Sequence, residues 1–261
     1  MPFTVAVPET VDGVLGALGD GALVIAGGTE VMPRINTTAH DVAALVSLRR
    51  AGLAGIDVTD GHATIGAATT IAEVGADARL AFLAPVVESI ASPSIRNLAT
   101  VGGNLFVEQP YGDLAVALLA LDAQVDVAGP GGSAARDVAS VLGGGLAPGE
   151  LVTAVRFALP ADGAWRYTKA MRRRLNSASI VTVAAVVGDT PRIALGGAGR
   201  TPVRSPAAEA ALAGGPLDRE RAEAAGRAAL ADAEPFTDAY ASAGYRARVL
   251  PVHVRRALVG E

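Results

Sequence analysis

Apolar positions along the chain recur in short blocks that switch between the two-residue period of strands and the 3.6-residue period of helices. The first blocks predict a short helix over 13–19 and a buried strand over 22–26, which runs into the turn Gly27-Gly28-Thr29 ahead of Glu30-Val31-Met32. Strands over 42–47 and 63–67 follow, with a further extended stretch over 49–56 and a turn at Asp60-Gly61. Helices are predicted over 70–75 and 80–91. In the second of these, Ala84, Val87, Ile90 and Ala91 share a face behind Pro85, which a helix tolerates near its start. Residues 95–100 then lead to a second paired-glycine turn, Val101-Gly102-Gly103-Asn104.

Beyond it, Asp113 stands where it can cap an apolar helix over 114–121. A strand over 124–128 ends at Gly129-Pro130-Gly131-Gly132, Gly143-Gly144-Gly145 forms a flexible stretch before Pro148-Gly149, and 151–159 alternates as a strand. Pro160-Ala161-Asp162-Gly163 joins a strand stop to a turn and marks a domain boundary. Strands over 165–170, 180–187 and 192–197 then precede alanine-rich helices over 207–213 and 218–233 and a final helix over 245–258. Strands before helices indicate a separate α+β unit.

Composition narrows the chemistry. With 261 residues, 51% of them hydrophobic, the chain can bury several layers of core, yet no apolar run reaches the roughly 20 residues of a membrane helix. A balance of 22 positive and 26 negative side chains, net −4, provides no overall basic field for nucleic acid or an anionic membrane. Residues 1–10 lack the basic start and apolar stretch of a secretory signal, so a cytoplasmic protein is expected, and the sequon Asn36-Thr37-Thr38 has no machinery to meet. Zero cysteines removes disulfides, thiolate nucleophiles and iron–sulfur clusters held by this chain, so any such cluster must belong to a partner. His40, His62 and His253 form no His-x-x-x-His or His-x-His pair, and no metal site is expected.

Aromatic residues make up only 4% of the chain against 31 glycines, which directs attention to the two paired-glycine segments. Ala26-Gly27-Gly28-Thr29 and Thr100-Val101-Gly102-Gly103-Asn104 set adjacent glycines beside small polar side chains, and such turns can aim backbone N–H groups at phosphate oxygens without a cationic side chain. Neither matches Gly-x-Gly-x-x-Gly or Gly-x-x-x-x-Gly-Lys, which disfavours ordinary nicotinamide or nucleoside triphosphate binding. Taken alone, each pair is more often a plain turn.

The surrounding residues change that reading. Val24-Ile25-Ala26-Gly27-Gly28-Thr29-Glu30-Val31 and Ser94-Ile95-Arg96-Asn97-Leu98-Ala99-Thr100-Val101-Gly102-Gly103-Asn104 resemble the two FAD loops of the flavin-binding medium subunit of the molybdenum hydroxylases, the family of xanthine and carbon monoxide dehydrogenases. Between and after them, Thr64-Ile65-Gly66-Ala67-Ala68-Thr69-Thr70 and Gln109-Pro110-Tyr111-Gly112-Asp113-Leu114 are similar to the family's second-lobe strand and the following turn. Lys169-Ala170-Met171-Arg172-Arg173-Arg174 is similar to its lysine and double-arginine segment, and Asp238, Ser242, Tyr245, Arg246 and Arg255-Arg256-Ala257-Leu258 resemble its C-terminal helices. One departure is Ser177, where the family commonly has an aspartate eight residues after the lysine; the lack of cysteine also excludes the extra four-cysteine cluster loop of some relatives.

The resemblance implies an α+β protein: a PCMH-like FAD-binding fold of two α/β lobes, over 1–57 and 58–162, followed by an α+β domain of the CO dehydrogenase flavoprotein type over 163–261. FAD would lie between the first two lobes. By this likeness Ile25, Ala26, Gly27, Gly28, Thr29 and Glu30 would wrap the FAD pyrophosphate, and Thr100, Gly102, Gly103 and Asn104 would bind it from the other side. Asp113 would hydrogen-bond polyol or ribose hydroxyls, Val152 would pack near the flavin ring, and Lys169 would approach its polar edge, where a cation favours negatively charged reduced flavin. The implied function is electron transfer from iron–sulfur clusters of a small partner subunit, fed by a molybdenum cofactor in a large one, to oxygen, NAD or a quinone. Two other readings stand beside it: a free-standing FAD-dependent oxidoreductase acting directly on a small molecule, and a scaffold without flavin, against which the two intact glycine segments argue. Asp113 also serves as a plain helix cap, residues 169–174 as a solvated charge run, and Tyr111 and Trp165 as core or interface anchors.

Overall fold

The computed structural model describes residues 4–37, 42–173 and 177–260, so His40, Thr38 of the sequon and Arg174 lie outside the described residues. Three sheets organise the chain. The first joins β1 (Thr4–Ala6), β2 (Ala22–Ile25) and β3 (Ala44–Ser47) in the order β1-β3-β2, all parallel. Parallel neighbours need a crossover, which the helix Val11–Ala17 supplies between β1 and β2; its Val14 packs with Val46, Leu48 and Leu53 in a small core. β2 lies at the sheet edge with Leu23 39% exposed, so the strand expected to be buried is half open to solvent.

The second sheet is antiparallel, order β4-β5-β8-β6-β7, built from β4 (Ile56–Thr59), β5 (His62–Gly66), β6 (Gln124–Gly129), β7 (Gly132–Asp137) and β8 (Leu151–Ala158). Residues 49–55 are turn and coil, which corrects the extended stretch expected over 49–56. The helix expected over 80–91 is broken into a 3-10 turn, Ala78–Leu83, and a helix, Ala84–Ser89, with Pro85 in its first turn. Ala91 has φ of +43°, which no helix continues through. The glycine run also differs: Gly143 and Gly144 close the helix Val138–Gly144, and only Gly145, at φ of +70°, leaves it.

The third sheet, order β12-β11-β10-β9, is antiparallel and comprises β9 (Trp165–Met171), β10 (Ser179–Val186), β11 (Arg192–Gly196) and β12 (Val203–Arg204). All eight residues of β10 are buried because both faces of the strand are covered. Val181, Val183 and Ala185 point into a core with the C-terminal helices Pro206–Leu212, Arg219–Ala228 and Ala243–Val259, while Ala184 and Val186 point the other way.

That other face meets the helix Asp113–Ala120, whose residues are all buried. A helix apolar all round belongs inside, and this one is wedged between the second and third sheets, sharing a core with Val125, Val155, Ala184 and Ala194. Its N-cap is Gly112, at φ of +76°, with no side-chain cap bond. Asp113 therefore does not cap the helix: it starts it from inside the protein, aimed at the third sheet.

Candidate functional site

The first paired-glycine segment follows β2 directly. Gly28 takes φ of +71°, open to glycine at no steric cost, and turns the chain towards the helix Val31–Thr37. Gly27 is required by contact: a Cβ there would stand 1.7 Å from the carbonyl oxygen of Leu98, so only glycine lets this turn lie against the second segment. Among the described residues, no protein acceptor takes the N–H groups of Gly27, Gly28, Thr29 or Glu30. The side chain of Ile25 packs beneath the turn, its Cδ1 lying 3.2 Å from where a Gly28 Cβ would be.

The second segment is not the exposed turn expected. Val101–Leu105 is a short helix with Thr100 as N-cap. Its N–H groups are all engaged: Val101 donates to Thr69 O at 2.9 Å, Gly102 to Ala67 O at 2.8 Å, Gly103 to Thr100 Oγ1 at 3.2 Å and Asn104 to Thr100 O at 2.9 Å. Asn104 is buried, with Oδ1 accepting from the N–H of Leu114 at 3.1 Å. A Cβ on Gly102 would sit 2.9 Å from the Ala67 Cβ, whereas one on Gly103 would meet only Thr100 Oγ1, at 3.1 Å. Gly102 therefore packs the helix down, and Gly103 leaves bare backbone towards open space.

That space is a cleft of about 610 Å³, within the roughly 300–1,000 Å³ of small-molecule sites. Ala26, Gly27, Gly28, Thr29 and Glu30 line one side of it; Thr100, Gly102, Gly103 and Asn104 line another. Asp113, Val152 and Lys169 complete the set, so of the residues that the resemblance assigns to FAD only Ile25 stays behind the wall. The cleft walls also include residues the sequence reading did not assign to it, among them Ile90, Leu146, Glu150 and Tyr240.

At the cleft, Asp113 and Lys169 form an ion pair of 2.7 Å with side chains 5% and 4% exposed. Strand parity explains the meeting: Lys169 pairs with Thr182 across β9 and β10, and both face the N-terminal end of the Asp113–Ala120 helix. Asp113 Oδ1 accepts from Thr182 Oγ1 at 3.0 Å, and Lys169 also donates to Ser89 O at 2.9 Å. Burial pushes the Asp113 carboxyl above its ordinary range, while Lys169 and Thr182 pull it down. The Tyr167 hydroxyl, 2.7 Å from Ser89 Oγ, is pushed well above its usual value by burial and then by the Asp113 charge. An ammonium has three N–H donors, so Lys169 retains one beyond these two bonds.

At another part of the cleft the Tyr111 and Tyr240 hydroxyls meet at 2.5 Å, their rings edge to face with centroids 6.0 Å apart. Burial, the Tyr240 bond and the negative Glu30 and Asp238 push the Tyr111 hydroxyl up to about 12, so it stays protonated near neutral pH. Ser177, the departure from the family pattern, also lines the cleft and donates to Ala178 O at 3.2 Å. Among the described residues no group of His, Asp or Glu side chains is arranged to hold a metal ion, and no helix is long and apolar enough to cross a membrane.

Residues 1–160 match the family described as FAD binding domain in molybdopterin dehydrogenase, and residues 166–259 match the CO dehydrogenase flavoprotein C-terminal domain. The chain is 32% identical over 260 residues to the carbon monoxide dehydrogenase medium chain of Afipia carboxidovorans, covering 94% of this chain and 90% of that protein. It is 30% identical over 275 residues to the 6-hydroxypseudooxynicotine dehydrogenase complex subunit alpha of Paenarthrobacter nicotinovorans, covering 98% and 93%. In the solved structure of the carbon monoxide dehydrogenase from Hydrogenophaga pseudoflava that lacks the Mo-pyranopterin moiety, one chain matches with a TM-score of 0.91 at 29% identity, covering 99% of this chain and 96% of that one.

Proposed function

Because this chain belongs to the FAD-binding medium subunits of the molybdenum hydroxylases, we propose that it carries electrons from iron–sulfur clusters of a small partner subunit to an external acceptor. A large partner subunit with a molybdenum cofactor is their source, and the complex works in the cytoplasm. The observation that carries this reading is the cleft itself, where a turn with four N–H groups that find no acceptor among the described residues faces a glycine helix end that leaves bare backbone. This pairing suits a pyrophosphate: one wall supplies donors, the other lets the phosphates come close.

The site roles follow from chemistry. Gly27, Gly28, Thr29 and Glu30 would donate backbone N–H bonds to the pyrophosphate, with Ala26 and Ile25 shaping and supporting the turn. Thr100, Gly102, Gly103 and Asn104 would form the opposing wall, rigid because their own donors are engaged. Asp113 would accept from ribose or polyol hydroxyls through lone pairs left over from Lys169 and Thr182, and Val152 would give the ring an apolar surface. Lys169 would turn its third N–H to the flavin's polar edge. Bound FAD supplies the redox chemistry, taking up and passing on electrons. The chain's residues bind, orient and tune it, and none acts as acid or base on a substrate. The three sheets correspond to lobes over 1–57, 58–162 and 163–261, except that β4 (Ile56–Thr59) of the second sheet crosses the first boundary, and FAD would lie between the first two.

The purified chain is expected to show a flavin absorption spectrum, and the native complex to co-purify with iron and molybdenum. A colourless chain that takes up no added FAD contradicts the reading. Rapid reduction of the flavin by a small organic substrate, with no partner present, favours a free-standing oxidoreductase instead.

A further inference from the structure

The Tyr111–Tyr240 pair joins segments far apart in the chain. Tyr111 precedes the buried helix in the FAD-binding part, and Tyr240 belongs to the C-terminal part. Both rings line the cleft, and the charge of Glu30, on the first glycine turn, reaches the Tyr111 hydroxyl. Three separate parts of the chain thus converge on one phenol pair.

The backbone under each tyrosine is anchored. Asp238 Oδ1 accepts from the N–H groups of Tyr240 and Ala241 at 2.8 and 2.9 Å, and Asp238 Oδ2 accepts from the fully buried Arg246 at 2.7 Å. On the other side, Gln109 donates to Tyr111 O at 2.7 Å and accepts from the N–H of Gly197 at 2.7 Å. The rings are joined by one hydroxyl bond and an edge-to-face contact, and Tyr111 is 45% exposed. Tyr240 also borders an open surface depression shared with Met171, Thr237 and Tyr245, so solvent space adjoins its side chain. Fixed backbone, one hydroxyl bond with a ring-edge contact, and adjacent open space make side-chain rotation, rather than loop movement, the easiest way to open this edge.

We propose that the Tyr111–Tyr240 pair is a latch across the FAD cleft, and that rotation of one phenol admits and releases the dinucleotide. The inference rests on the FAD reading and adds a kinetic role for two residues. A latch lowers entry and exit together, because the same bond must break for both. A hydroxyl that merely contacts bound FAD slows exit alone.

The test measures FAD association and release by flavin fluorescence on the full chain, for wild type, Tyr111→Phe, Tyr240→Phe and the double variant. Each single variant is expected to raise both rate constants about 2- to 10-fold, the worth of one neutral hydrogen bond, with Kd changing less than either. The double variant should match the singles, since each removes the same bond. Unchanged rates, a rise in release alone, or singles that multiply in the double variant overturn the latch. A wild-type chain that takes up no FAD overturns the functional reading and the latch together, whereas normal uptake with wild-type kinetics in every variant overturns the latch only.

Discussion

Replacing Lys169 by methionine leaves the Asp113 carboxylate, its side chain 5% exposed, facing Thr182 without a cation. The methionine keeps the length of the stem, so the change is chiefly one of charge. Removing one partner of a buried pair costs about 3–5 kcal/mol, because the remaining charge keeps its desolvation penalty and loses its compensation. At about 2 °C per kcal/mol for a chain of this size, Tm should fall by about 6–10 °C in calorimetry. The deficit should depend on pH. The folded carboxyl already lies above its ordinary 3.8 through burial, and the Lys169 charge is the strongest influence holding it down. Without Lys169 the folded protein binds a proton before the unfolded chain does, so stability lost at high pH returns as pH falls through the raised folded value. The variant should therefore be further below wild type at about pH 8 than at about pH 5. Adding Asp113→Leu removes the stranded charge and should recover much of the loss. A fall under about 2 °C in the single variant, or a double variant worse by the sum of both singles, would refute the assignment of this pair as a buried, mutually dependent unit.

Gly103→Asp should fold yet lose most of its flavin, read from the ratio of flavin to protein absorbance, because a side chain there enters the open cleft and adds a negative charge where the pyrophosphate is proposed to lie. Gly103→Asn, of similar size, should retain more, and full occupancy in the Asp variant would contradict the site. Gly27→Ala is expected to destabilise the fold by about 2 kcal/mol or more in urea titration, since its Cβ would stand 1.7 Å from Leu98 O and force the two segments apart. His253 is held below its ordinary 6.5 by burial and then by Arg256, so stability should decline as pH drops from about 6.5 through the lower folded value. His253→Gln should flatten that part of the urea-midpoint profile, and an unchanged slope would exclude His253 as its source.

Much of the architecture was legible because local pattern and tertiary context agreed. The alternation over 151–159 and 180–187 and the helical periods over 207–213 and 245–258 returned as β8, β10 and C-terminal helices with ends shifted by a residue or two, whereas the helix expected over 218–233 ends at Ala228 and gives way to a 3-10 turn, Ala229–Asp232. Errors came where one level overrode the other. The apolar face through Ala84, Val87 and Ile90 is real, but Leu80 departs from helical dihedrals at φ of −108° and ψ of 20°, and Pro85 begins a new helix. Gly102 and Gly103 read as a turn because glycine is costly in a helix; here Gly102 is helical because the Ala67 strand end leaves no room for a Cβ. Short strands such as β1 and β12 carry too few residues for alternation to show.

At the site, the sequence could indicate which residues gather but not how they divide the work. Both glycine pairs promised backbone donors, yet only the first keeps them free, because the second is the capped start of a helix. Asp113 was equally plausible as a cap, and what rules this out is Gly112 taking the cap position with a positive φ. Tyr240 lies in a stretch with neither helical nor strand period, so its place on the cleft depends on Asp238 and Arg246 holding the segment in place. Those two residues had drawn notice only by resemblance, and the geometry gives them a reason: a buried guanidinium with an aspartate partner positions the chain that closes the cleft. The same logic joins the two ends of the site. A buried Asp–Lys pair ties the second sheet's helix to the third sheet at one end of the cleft, and a buried Arg246 paired with the partly exposed Asp238 fixes the segment bearing the tyrosine latch. Loss of either pair should therefore alter cofactor retention even though neither arginine nor aspartate of the second pair lies on the glycine walls proposed to hold the pyrophosphate.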